Sequence, residues 1–140
     1  YGVSPSSLML ELTETTLVTD IEAVRQLMLD LKSCGFAFSI DDFGTGYSSL
    51  AYLQSLPIAE LKIDKRFVDG IDEQDDDSAK GIVKLIVDMA NVLHTKTVAE
   101  GVESAHQAEY LTSIGCDAIQ GFLKSKPLEV SDWIDKLSQT

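Results

Sequence analysis

The amino-acid sequence predicts an α/β fold on a parallel sheet, and three observations carry that expectation. Short apolar runs alternate five times with helical patterns. Successive runs start about 20 to 36 residues apart, a span that suits right-handed β-α-β crossovers. The runs are mainly apolar rather than alternating, as strands buried on both faces are. Two architectures satisfy this order: an open doubly wound sheet, or part of a (β/α)8 barrel. A whole barrel takes about 250 residues. The chain has 140, so the barrel reading implies that close to half of it is absent.

The first strand is expected over Leu8-Met9-Leu10-Glu11-Leu12. A helix follows with Ile21, Val24, Leu27, Met28 and Leu31 on one face, Thr19 or Asp20 as N-cap and Gly35 as its stop. The second strand is Phe36-Ala37-Phe38-Ser39-Ile40. Ser48 can cap a short helix carrying Leu50, Leu53 and Leu56, which Pro57 ends. The third strand is Leu61-Lys62-Ile63; Ile82, Val83, Leu85, Ile86, Met89, Ala90 and Leu93 then mark a longer helix. Thr97-Val98-Ala99 is the fourth strand. Ser104 and Gln107 form a capping box for a helix through Ala108 and Leu111, ended by Gly115. Ala118-Ile119 is a short fifth strand, and a last helix begins near Ser131 with Trp133, Ile134 and Leu137.

Composition narrows the function. The net charge of −12 repels nucleic-acid backbones and anionic membranes, so neither DNA nor a membrane is an expected partner of this segment. No apolar run is long enough to span a bilayer, and Tyr1-Gly2-Val3-Ser4-Pro5 has neither the basic start nor the apolar stretch of a signal peptide. Cys34 and Cys116 show no zinc spacing and are expected to be reduced, half-buried thiols, which fits a cytoplasmic location. The acidic run from Asp72 to Asp77 lacks the spaced ligands and central glycine of a calcium loop, and reads as a solvated loop before a helix. An acidic protein that acts on a phosphate ester needs an intervening cation, and a divalent metal held by carboxylates supplies one.

Active sites of parallel α/β folds form at the C-terminal ends of the strands. There the sequence places Glu11 and Glu14, then Asp41-Asp42, then Lys62 and Asp64, then Glu100 and Glu103, and finally Gln120. Clustered carboxylates raise one another's pKa unless a cation neutralises them. Glu11, Asp41, Asp42 and Glu100 therefore form a candidate oxygen-ligand set for Mg2+ or Mn2+. His94 and His106 lie in or beside helices and are not expected to be ligands or bases. Lys62, a cation within an apolar strand, is expected to face the acidic rim. In Asp41-Asp42-Phe43-Gly44-Thr45-Gly46-Tyr47-Ser48-Ser49-Leu50 the glycines permit a tight path before a helix, which suits a phosphate cradle or a lid. It is neither a Walker A nor a dinucleotide fingerprint.

These segments resemble a known family. Glu11-Leu12-Thr13-Glu14, Asp41-Asp42-Phe43-Gly44-Thr45-Gly46, Leu61-Lys62-Ile63-Asp64, Val98-Ala99-Glu100-Gly101-Val102-Glu103, Gln120-Gly121-Phe122 and Lys126-Pro127-Leu128 are similar, in order and spacing, to the motifs of the EAL domain. The resemblance implies a parallel (β/α) TIM-like barrel, with about five β/α units of its C-terminal half in residues 1–140. It implies a metal-dependent phosphodiesterase that opens cyclic di-GMP to linear pGpG at a two-metal site of Mg2+ or Mn2+. By the same resemblance Glu11 is a metal ligand, Asp41 and Asp42 hold the two ions, and Lys62 positions the attacking water. Glu100 is a second-metal ligand or the general base, and Gln120 orders water at the metals. Glu14 anchors the loop containing Gly44, Thr45 and Gly46, which in the family couples substrate binding to dimer contacts. Asp64 and Glu103 support the site or contact substrate.

The family's Glu-Ala-Leu motif is absent; Glu22-Ala23-Val24 falls on a helix instead. The segment alone is therefore expected to be inactive, to expose a sheet edge, and to pair with its missing half or swap into an oligomer. A homodimer and upstream sensory or GGDEF domains are further expectations. The alternative function is a non-catalytic EAL domain that senses cyclic di-GMP or binds a protein.

Overall fold

Five parallel strands lie side by side in chain order: β1 (Met9–Thr13), β2 (Ala37–Phe43), β3 (Glu60–Ile63), β4 (Lys96–Ala99) and β5 (Ala118–Ile119). The computed structural model describes residues 2–14, 21–44, 50–72 and 77–138. A doubly wound sheet reverses its strand order at a switch point; this sheet advances one way from β1 to β5. The one-way winding is that of a (β/α) barrel.

The helices are α1 (Ile21–Ser33), α2 (Leu50–Leu53), α3 (Lys65–Asp69), α4 (Asp77–Val92), α5 (Ala105–Ser113) and α6 (Val130–Ser138). The expected capping box is present on α5, where Ser104 Oγ accepts from Gln107 N and Gln107 Oε1 accepts from Ser104 N. The proposed caps Thr19, Asp20 and Ser48 lie outside the described residues, as do residues 73–76 of the acidic run. The sequence reading missed α3 and the 3-10 turn Gly70–Asp72 behind it. Five residues are too few to show a helical period; Asp64 starts the helix locally, its carboxylate accepting the Arg66 amide at 2.8 Å.

Strand register decides which side chains share a face. Leu10 pairs with Phe38, Leu12 with Ile40 and Ile40 with Leu61. These residues, with Ile63 and Ala99, meet Met28 of α1, Leu53 of α2, Val68 of α3, Val83, Ile86, Val87 and Ala90 of α4, and Leu111 of α5 in one core. Each large side chain buried there contributes roughly 1.5–3 kcal/mol against chain entropy. The intervening residues Glu11, Ser39, Glu60 and Lys62 occupy the other face. Strands β1 to β3 thus carry polar residues on one face, contrary to the expectation of runs apolar on both sides, whereas in β4 the apolar Val98 pairs with Lys62. Polar groups are tolerated on that face because they satisfy one another: Ser39 Oγ donates to Glu60 Oε1 at 3.2 Å, and Lys62 Nζ to Glu11 Oε1 at 3.0 Å.

The apolar stripes of the helices are wider than the surfaces that cover them. Leu27, Leu85, Val92, Trp133 and Ile134 are exposed. Both cysteines are free; Cys116 is half-buried as expected, but Cys34 is exposed. Among the described residues no helix is long and apolar enough to cross a membrane.

Candidate active site

The C-terminal ends of β1 to β4 bring their charged side chains to Lys62. Its side chain is 8% exposed, and its ammonium lies 2.7 Å from Glu100 Oε1, 3.0 Å from Glu11 Oε1 and 3.3 Å from Asp41 Oδ1. An ammonium has three donors, and each meets a carboxylate from a different strand or strand end. Burial alone would lower the Lys62 pKa. The bonds to Glu100, Glu11 and Asp41 outweigh it and hold the pKa well above the ordinary lysine value. Lys62 is therefore a fixed positive charge.

Consecutive residues of a regular strand point to opposite faces, which would separate Asp41 from Asp42. The pairing of β2 with β3 shifts between Ile40 and Phe43, and Asp42 adopts φ +54°. Such an irregularity re-aims side chains, and aspartate tolerates this backbone region better than most residues. In consequence one carboxylate oxygen from each of Asp41, Asp42 and Glu100 lies within 4.8 Å of the other two. Desolvation first, then the negative charges of Asp41 and Asp64, push the Asp42 carboxyl up. Glu11 touches this trio through Lys62 rather than joining it.

Glu14 is 2% exposed, and its Oε2 accepts the Gly44 amide at 3.2 Å. Gly44 has φ +97°, and a Cβ there would stand 2.8 Å from Phe67 Cε2. The loop after β2 is thus anchored by a buried carboxylate and by close approach to an aromatic ring. Thr45 and Gly46, farther along it, lie outside the described residues. Asp64 is nearly buried and directed at Arg66, with Oδ1 to Nε at 3.0 Å and Oδ2 to Nη2 at 3.1 Å. The guanidinium lowers the Asp64 pKa. Asp64 bears on the acidic trio through Asp42, whose carboxyl its negative charge helps to push up.

After β5 the chain folds back onto the loop after β4. Val102 N donates to Gln120 O at 3.0 Å, and Leu123 N to Val102 O at 3.0 Å. Gly121 is required there because a Cβ would overlap the Val102 backbone. This contact sets Gln120 beside Glu100, on a cavity of about 300 Å³ also lined by Lys65, Glu103 and Phe122. Glu103 Oε1 accepts from Lys65 Nζ at 3.0 Å, and Lys65 also reaches Asp69 Oδ1 at 2.7 Å. Sequence reasoning missed Lys65 and Asp69. The only available signal was a second lysine three residues after Lys62, on the helix that went unrecognised.

The EAL domain family model matches residues 1–127. The chain belongs to the EAL domain family. One curated relative of this EAL chain is the bifunctional diguanylate cyclase/cyclic di-GMP phosphodiesterase MucR of Pseudomonas aeruginosa, 47% identical over 128 residues, which are 91% of this chain and 18% of MucR. Among solved structures, "PaMucR phosphodiesterase, c-di-GMP complex" superimposes with a TM-score of 0.88 at 44% identity, covering 94% of this chain and 52% of that one. The manganese/cy-diGMP complex of Klebsiella pneumoniae BlrP1 gives a TM-score of 0.80 at 34% identity, over 90% of this chain and 32% of that one. The EAL chain thus spans about half of the PaMucR structure and less than a fifth of the MucR protein.

Proposed function

We propose that the EAL domain to which this chain contributes hydrolyses one phosphodiester of cyclic di-GMP to linear pGpG, using two divalent ions, Mg2+ or Mn2+. One observation carries the reading: the Asp41, Asp42 and Glu100 carboxylates converge to within 4.8 Å beside the cationic Lys62. Negative charges so close repel unless a cation lies among them, and an all-oxygen donor set suits a hard divalent ion. The residues present therefore fit the metals. Asp41, Asp42 and Glu100 would hold them, with Glu11 completing the set once freed from Lys62. Bound divalent ions supply Lewis-acid polarisation of the phosphoryl group and an activated water. The names of the similar proteins, a cyclic di-GMP phosphodiesterase and a manganese/cy-diGMP complex, support both the substrate and the metal class.

Against desolvation, hydrogen bonds to Glu100, Glu11 and Asp41 raise the Lys62 pKa, which suits a donor of hydrogen bonds. Lys62 orients the acidic groups and the attacking water by donating hydrogen bonds. Glu100 accepts at 2.7 Å from that ammonium and would serve as a second-metal ligand or as the general base. Gln120, on the cavity wall, would order water by its amide. Glu14 holds Gly44 at the end of β2, and Thr45 and Gly46, next in sequence, would support substrate. Asp64 acts at one remove, through its charge beside Asp42.

We read residues 1–140 as the C-terminal portion of the domain, with the Glu-Ala-Leu segment outside them. The 52% coverage of the PaMucR structure supports this, as does the open five-stranded sheet, whose edge strands β1 and β5 do not pair with each other. The segment alone would be inactive, and either complementation by the other half or a homodimeric or swapped assembly would cover its edges. Upstream sensory or GGDEF domains fit the larger size of the relatives, and the free thiols fit a cytoplasmic site.

The test uses the complete domain with Mg2+, Mn2+ or a chelator, following pGpG by chromatography. Product should form only with metal, and Asp41→Asn should lower kcat at least about a hundredfold. Metal-independent turnover would overturn the mechanism. Tight binding of cyclic di-GMP without product would favour the sensor.

A further inference from the structure

Lys65 is the first residue of α3, three residues beyond Lys62. Its ammonium contacts Asp69 Oδ1 at 2.7 Å, Glu103 Oε1 at 3.0 Å and the Gly101 carbonyl at 3.5 Å. Its aliphatic stem fills the space where a side chain at Gly101 would begin. The lysine is therefore packed across the loop after β4 as well as ion-paired to it. The backbone of that loop has separate support: Gln107 Oε1 accepts the Glu103 amide at 2.8 Å, and Gln107 Nε2 donates to the Val68 carbonyl at 3.2 Å. Glu100 is held independently, by Lys62. Removing Lys65 should thus release the Glu103 carboxylate while sparing both the loop backbone and the acidic trio.

Resting on the proposed cyclic di-GMP phosphodiesterase reading, we propose that Lys65 is a positioning residue that holds the Glu103 carboxylate on the wall of the substrate cavity. Glu103 shares that wall with Glu100, Gln120 and Phe122. A fixed carboxylate beside an aromatic ring can accept hydrogen bonds from the N–H groups of a bound dinucleotide. Asp69 also holds the ammonium, and Lys65 acts on the cavity through Glu103. Its loss weakens substrate binding and leaves the chemical step alone.

The experiment compares Lys65→Met, Lys65→Arg, Glu103→Gln and the Lys65→Met/Glu103→Gln double variant in the complete domain with Mn2+. Lys65→Met should raise KM about fivefold, the worth of a half-exposed ion pair, with kcat within about twofold of the parent. Lys65→Arg should recover most of the loss. The double variant should match Glu103→Gln, because Lys65 has nothing left to orient. An unchanged KM in Lys65→Met, a fall in kcat instead, or full additivity in the double variant would overturn the proposal while the parent's turnover upheld the enzyme reading. If the parent binds cyclic di-GMP without turnover, the enzyme reading fails and the same series is read as dissociation constants by calorimetry. A parent that neither cleaves nor binds it overturns both.

Discussion

Replacing Lys62 by methionine tests the physical centre of the site. The substitution keeps most of the aliphatic stem and removes the charge that separates Glu11, Asp41 and Glu100. Removing one partner of a fully buried ion pair costs about 3–5 kcal/mol. Here the Asp41 and Glu100 side chains are 24% and 23% exposed and Glu11 is 50% exposed. Water relieves part of the penalty, which brings the expected loss without metal to about 2–3 kcal/mol. In a domain of barrel size that lowers Tm by about 4–12 °C. Saturating Mn2+ should narrow the gap, because a divalent ion neutralises the same carboxylates. The Lys62 pKa is raised, so its contribution is fully present below the ordinary value of 10.5 and is lost only as pH rises through the higher folded value. The gap should therefore stay flat across neutral pH. Urea and thermal unfolding of parent and variant, with chelator and with Mn2+, measure it. A Lys62→Met domain as stable as its parent in chelator would refute the reasoning.

Gly44→Ala should destabilise by about 1–3 kcal/mol, because φ is positive there and the new Cβ would press on Phe67; urea midpoints report it, and an unchanged midpoint would contradict the local geometry. Glu14→Ala leaves the Gly44 amide without its carboxylate and should cost about 1–3 kcal/mol, read in the same way. Asp64→Ala removes an N-cap with a lowered pKa and should cost about 1 kcal/mol near neutrality. The folded pKa lies below the ordinary 3.8, so that contribution is present above pH 3.8 and fades as pH falls through the folded value. Denaturant midpoints from pH 6 to about 3 should show parent and variant converging; a gap that widens in acid would reverse the assignment.

Much of the fold was legible from local patterns. The five strands and the long helix α4 announce themselves by apolar runs and helical spacing, and the α5 cap by Ser104 and Gln107. Boundaries were less legible: β2 runs on to Phe43, three residues past the apolar run, because Asp41 pairs with Thr13 and Phe43 with Ile63 across two acidic residues that break the apolar pattern. The helix α3 escaped because a five-residue element shows no period and rests on one cap.

What the order of residues settled was the chemistry available: oxygen ligands, a strand lysine, glycines at turns, and the family to which they belong. Periodicity and residue type are local properties, and a linear chain carries them in full. Which carboxylates meet was settled in space. The register shift in β2 turns two adjacent aspartates to one rim, Lys62 reaches a carboxylate 51 positions away, and Lys65 ties α3 to the loop after β4. Those relations follow from strand pairing and close packing, which depend on distances between residues far apart along the chain.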